Sequence, residues 1–101
     1  MLTVVAVLKA KEGKEQEVKE AIEALVEKVR TEDGTLAYAA HRGRKEPGKF
    51  LFYEKYRDKD AFNAHGSSAH FAEFFGKIAS LLDGEPSIEI YEEFASIPPK
   101  G

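Results

Sequence analysis

Thr35-Leu36-Ala37-Tyr38-Ala39-Ala40-His41-Arg42, then Gly43-Arg44-Lys45-Glu46-Pro47-Gly48, then Lys49-Phe50-Leu51-Phe52-Tyr53-Glu54-Lys55-Tyr56-Arg57 is the stretch whose reading decides the fold. The flanks are apolar and partly aromatic. The middle is polar, with a glycine at each end and a proline, so the stretch reads as two strands joined in a hairpin. Successive side chains of a strand point to opposite faces, which sets Phe50, Phe52 and Glu54 on one side and Leu51 and Tyr53 on the other.

Upstream, Leu2–Leu8 is a β-rich apolar run closed by Lys9-Ala10-Lys11-Glu12-Gly13, and it reads as a first strand and its turn. Val18, Ala21, Ile22, Leu25, Val26 and Val29 follow at three- and four-residue steps among Glu and Lys, giving one apolar stripe on a helix that Glu32-Asp33-Gly34 ends. Downstream, Asp58 is an N-cap for a short helix over Lys59–His65, broken by Gly66. Ser67 or Ser68 caps a second helical segment whose stripe runs Phe71, Phe74, Phe75, Ile78, Leu81, Leu82. Gly84 and Pro86 stop it, and Ser87–Phe94 is a last strand in which Ile88 and Ile90 alternate with glutamates.

The order is strand–helix–strand–strand–helix–strand. Right-handed crossovers then place both helices on one face of a four-stranded antiparallel sheet, the ferredoxin-like α+β arrangement. Residues 1–96 are expected to form this one domain and 97–101, with Pro98 and Pro99, an unpaired tail. Val5 and Val7 of the first strand lie opposite Leu2, Val4, Ala6 and Leu8, so the sheet is apolar on both faces. A homodimer through the face without helices is the expected way to cover it, the alternative being cover by the tail and long side chains.

Composition narrows the function. Among 101 residues, 18 acidic side chains outnumber 15 basic ones, which leaves no basic excess for phosphates and excludes nucleic acid as an expected partner. No apolar run approaches the roughly 18–20 residues of a membrane span, and the apolar start has neither a basic leader nor a small-residue cleavage site, so a cytoplasmic protein is expected. There is no cysteine, which removes disulfides, thiolate metal sites and cysteine nucleophiles. Lys11-Glu12-Gly13-Lys14 has one glycine and an acidic neighbour, so no phosphate loop is present and no nucleotide or flavin is expected.

Chemistry is left to histidines, tyrosines and carboxylates. Glu54, on an otherwise apolar strand face, needs a hydrogen-bond partner if buried, and His65 at the end of the short helix is the natural candidate. Such a pair would orient an imidazole for general acid or base work, or simply anchor helix to sheet. His70 follows His65 across a helix break and lacks the i, i+4 geometry of a paired metal site. A catalytic metal usually needs three protein ligands, so no metal is expected. His41 reads as a half-exposed strand residue, and Ser67 and Ser68 as caps. Phe52, Phe62, Phe71 and Phe74 belong to an aromatic concentration that either is plain core or walls a cavity for a flat ring, with Tyr53 or Tyr38 supplying a hydroxyl.

Phe50–Tyr56, Ala61-Phe62-Asn63-Ala64-His65 and Ser68-Ala69-His70-Phe71 resemble the antibiotic biosynthesis monooxygenase family, as do Val4-Val5-Ala6, Lys11-Glu12-Gly13-Lys14 and Tyr91-Glu92. The resemblance covers nearly the whole chain. It implies a small dimeric oxygenase that acts with oxygen on a quinol-like or polycyclic phenolic substrate and needs no cofactor. On that reading His65, Glu54 and Tyr53 are catalytic, and Tyr38, Phe52, Phe62, Asn63, His70, Phe71 and Phe74 surround the substrate. Haem-degrading relatives use an asparagine, tryptophan and histidine set; Asn63 and His65 are here, but there is no tryptophan. Two alternatives stay open on the same fold: an isomerase of a small hydroxyketone signalling molecule, and a non-enzymatic small-molecule-binding dimer.

Overall fold

A computed structural model of the chain describes residues 1–100. Its elements are β1 (Leu2–Lys9), α1 (Glu15–Val29), β2 (Thr35–Arg42), β3 (Lys49–Tyr56), α2 (Lys59–Gly66), α3 (Ala69–Ile78), a single 3-10 turn (Ala79–Leu81) and β4 (Ser87–Glu92). The strands form one antiparallel sheet in the order β2-β3-β1-β4, the expected ferredoxin-like topology.

Local chemistry accounts for the boundaries. Glu15 and Glu17 sit in the first turn of α1, where carboxylates favour the partial positive charge of the helix N-terminus. Asp58 caps α2 by accepting from the Ala61 amide at 2.8 Å, and Ser68 rather than Ser67 caps α3, accepting from the Phe71 amide at 3.2 Å. Gly84, with φ at +86°, turns the chain into β4.

The helix-facing side of the sheet carries Val4, Ala6 and Leu8 of β1 and Phe50, Phe52, Glu54 and Tyr56 of β3, all buried. Val18, Ile22, Leu25 and Val29 of α1 and Phe74 and Ile78 of α3 close the core above them. A bulge in β2 resets which of its side chains point inward. Thr35 pairs with Tyr56 and Ala37 with Lys55, so Leu36 is the extra residue. Alternation resumes one step late, which turns Tyr38 inward opposite Glu54; an unbulged strand would send it to the other face.

The last strand differs from expectation. It ends at Glu92, not Phe94, and Ile88 and Ile90, though on the helix-facing side opposite Ala6 and Val4, remain 57% and 56% exposed. The reason is lateral: α1 and α2 pack on β2 and α2 on β3, so the helical layer is displaced toward that edge and leaves β4 uncovered. On the opposite, open face Val5 and Val7 are half-buried while Leu51, Tyr53 and Tyr91 are exposed, and a Lys55–Glu93 ion pair at 2.6 Å lies at one end. Among the described residues no helix is long and apolar enough to cross a membrane.

Candidate functional site

A cavity of about 210 Å³ lies between the sheet and the α2–α3 corner. Its walls are Val4, Ala6, Leu8, Phe52, Phe62, Phe71, Phe74, Phe75, Pro86 and Ile88, with Gly66 and three polar residues, Tyr38, Glu54 and His65. The exposed members of the wall, Phe75, Gly66 and Ile88, mark its mouth on the side that β4 leaves open. Aromatic packing shapes the interior: Phe52 meets Tyr38 at 5.5 Å between centroids and Phe74 edge-on at 6.4 Å.

His65 sits at the C-terminal end of α2, buried among Tyr38, Tyr56 and Phe71, whose ring centroids are 5.1, 5.6 and 5.2 Å from its own. Its place is fixed by the helix break: Ser68 donates to the His65 carbonyl at 2.7 Å while capping α3. The partner of its ring is Glu32, from the α1–β2 connection. His65 Nδ1 lies 3.0 Å from Glu32 Oε2 and 3.1 Å from Oε1, and His70 Nε2 contacts the same carboxylate from the first turn of α3. Thr35 Oγ1 completes the set, donating to Oε1 at 2.6 Å.

Gly34 is what lets this connection approach. A Cβ there would overlap the Ala61 methyl, and the Gly34 carbonyl is held by the Arg57 amide at 2.9 Å, so the loop is clamped between α2 and the end of β3. Burial by itself would raise the Glu32 pKa, but hydrogen bonds from Thr35, His70 and His65 outweigh it and hold the carboxyl below its ordinary value. A carboxylate only accepts, so Glu32 accepts a hydrogen bond from the His65 Nδ1–H.

Glu54 answers to different forces. Burial pushes its pKa up to about 7, a hydrogen bond from Tyr56 at 2.5 Å pulls the other way, and the Glu32 charge adds to the rise. Near neutral pH this carboxyl is close to half protonated, able to donate as well as accept. Tyr38 and Tyr56 are both pushed well above the ordinary phenol range, first by burial, so both stay neutral.

The expected Glu54–His65 pair does not form. Both line the cavity, but Glu54 is satisfied by Tyr56, two residues along the same strand face, and His65 by Glu32. Tyr53 lies on the open face with Thr3 and Tyr91, away from the cavity, because alternation separates it from Phe52 and Glu54. Asn63 is exposed on α2, and His70 stands behind His65, off the cavity wall. Tyr38, Phe52, Phe62, Phe71 and Phe74 do meet around one space. The residues not legible as site members in the sequence are Glu32, which stands there only as part of the end of a helix, and Tyr56 as the partner of Glu54. The second had a signal, an i, i+2 pair on one strand face; the first, 33 positions from His65, had none.

The family model for "Antibiotic biosynthesis monooxygenase" matches residues 1–77. The uncharacterized protein sll1783 of Synechocystis is 31% identical over 85 residues; the match covers 84% of this chain but 58% of that protein's length. YcnE of Bacillus subtilis, provisionally named a monooxygenase, is 32% identical over 82 residues, covering 81% of this chain and 86% of its own. Among solved structures, PA3566 from Pseudomonas aeruginosa superposes with a TM-score of 0.87 at 30% identity over 93% of this chain and 94% of that one. A crystal structure titled antibiotic biosynthesis monooxygenase reaches 0.90 at 28% identity, over 94% of this chain and 100% of its own. With a fold and a family model that agree over three quarters of its length, the chain belongs to the antibiotic biosynthesis monooxygenase family.

Proposed function

We propose that the protein is a monooxygenase that oxidises a quinol-like or phenolic ring with dioxygen in the cavity between sheet and helices. The observation that carries this reading is the wall itself: aromatic and aliphatic nearly throughout, with Tyr38, Glu54 and His65 as its polar side chains. An engineered cavity of about 150 Å³ holds one benzene ring. A volume of 210 Å³ therefore suits one or two fused rings, with larger systems extending through the mouth beside Ile88.

In this reading His65, oriented by Glu32, accepts the phenolic proton on the nitrogen facing the cavity, and the resulting anion is the electron-rich species that reacts with oxygen. Glu54 in its protonated form and the Tyr38 hydroxyl hydrogen-bond to the ring oxygens where negative charge collects. Quinol plus dioxygen gives hydroxyquinone plus water. The atoms balance and the quinol supplies all four electrons, so the reaction calls for no external reductant. Of the two tyrosines the sequence offers for this hydroxyl, Tyr38 thus takes the part and Tyr53, on the open face, does not.

The walls argue against the isomerase alternative if its substrate is phosphorylated, because no Lys or Arg lines the cavity. Two-fold association through the open face, where Leu51 and Tyr53 are each 36% exposed, belongs to the same proposal. An oxygen electrode with a panel of one- and two-ring quinols tests the reading. Uptake that is stoichiometric with hydroxyquinone and lost in His65→Ala supports it; no uptake with any quinol refutes it.

A further inference from the structure

Three side chains from three separate elements meet where the sequence offered only two weakly spaced histidines. We propose that Glu32, His65 and His70 form a binding site for a first-row divalent cation, Zn²⁺ foremost. The ligand set is two imidazoles and a carboxylate, the composition of many open zinc sites. One candidate ligand atom from each residue falls within 4.8 Å of the other two.

The geometry is close to what an ion requires. Ligand atoms about 2.05 Å from a tetrahedral ion stand roughly 3.4 Å from one another. His65 Nδ1 and Glu32 Oε2 are already 3.0 Å apart, and His70 Nε2 converges on that same oxygen. Seating an ion needs the two imidazoles to stand slightly off Glu32 Oε2, which side-chain torsions supply. Thr35 occupies the other carboxylate oxygen at 2.6 Å and so presents Oε2 as the ligating atom; a bound outer partner of this kind is the usual companion of a metal ligand.

Charge and access point the same way. The Glu32 carboxylate is paired with no Lys or Arg among the described residues, only with the two imidazoles and the Thr35 hydroxyl. The site is closed on its inner side, where the His65 side chain is 4% exposed, and open on its outer side, where Glu32 and His70 are 15% and 20% exposed. An ion can therefore enter from solvent and retain water at its remaining position.

Glu32 and His70 do not line the cavity, so the ion lies behind the His65 ring, not among the aromatic walls. Its effect passes through that ring. With Nδ1 on the metal, the imidazole proton resides on the other nitrogen, which can then only donate. The site stands on its own geometry, whether or not the protein is an oxygenase.

Titration of the chelator-treated protein with Co²⁺, followed by its visible d–d absorption and then by Zn²⁺ displacement, tests the proposal. One saturable equivalent is expected, with affinity lowered at least tenfold in His70→Ala and in Glu32→Gln and unchanged in His41→Ala, whose histidine lies at the opposite end of β2 from Thr35. His70 is partly exposed, so its variant keeps the test available should Glu32→Gln not fold. Nitrogen NMR of His65 supplies a second readout: at saturating Zn²⁺ its Nδ1 carries no proton and Nε2 carries one. Absence of saturable binding, binding indifferent to His70→Ala, or an unmoved Nδ1 proton at saturation would each overturn the site.

Discussion

Glu54 offers the sharpest test of the physical account, because its environment makes a prediction of sign as well as size. The carboxyl titrates near pH 7 in the folded protein and near 4.5 when exposed. A group whose folded pKa is raised contributes stability that is fully present below the lower value and is lost as pH rises through the upper one. At about 1.36 kcal/mol for each tenfold difference in acid constant, the loss totals about 3 kcal/mol, most of it between pH 5 and pH 8. Glu54→Gln removes the ionisation while keeping the shape and an acceptor for the Tyr56 hydroxyl. Urea unfolding at pH 5, 6, 7 and 8 should therefore show wild type losing stability relative to the variant by about 2–3 kcal/mol across the series, a midpoint change of roughly 1–2 M. Tyr56→Phe should move the wild-type inflection to higher pH, since the hydrogen bond that lowers the Glu54 pKa is gone. Parallel stability curves for wild type and Glu54→Gln would refute the reasoning.

Other expectations rest on separate contacts. Gly34→Ala should push the α1–β2 connection off Ala61, cost about 1–3 kcal/mol, and detach Glu32 from His65, visible as a changed His65 ring resonance. Phe74→Ala should cost about 3–5 kcal/mol by enlarging the cavity, and saturating naphthol should recover part of the lost melting temperature by filling it. Leu51→Lys on the open face should shift a sedimenting dimer to monomer with little effect on the helical core; a wild type monomeric at micromolar concentration contradicts association by that face. Asp58→Ala should cost about 1 kcal/mol through the lost cap of α2, read from its thermal midpoint.

The range of the forces involved decides how much of the fold and the site was legible in the chain. Element order, the hairpin, the capped helix starts and the apolar stripes are local: period, turn residues and capping hydroxyls act over a few positions, and they sufficed for the ferredoxin-like topology. The aromatic wall was legible in part, because Phe52, Phe71 and Phe74 fall on the inward phase of their own elements. The face of Tyr38 was not, since one extra residue at Leu36 reverses the alternation and nothing local requires it. Nor was the partner of His65. Glu54, on an apolar strand face, needs a partner that His65 could supply, but a strand face pairs residues two apart, which gave Glu54 to Tyr56. A bare glycine then let a loop 33 positions away deliver Glu32 instead. The sequence by itself determined which surfaces must be buried, and tertiary structure alone decided which polar groups met, because hydrophobic period is a local property and hydrogen-bond partnership depends on approach across the fold.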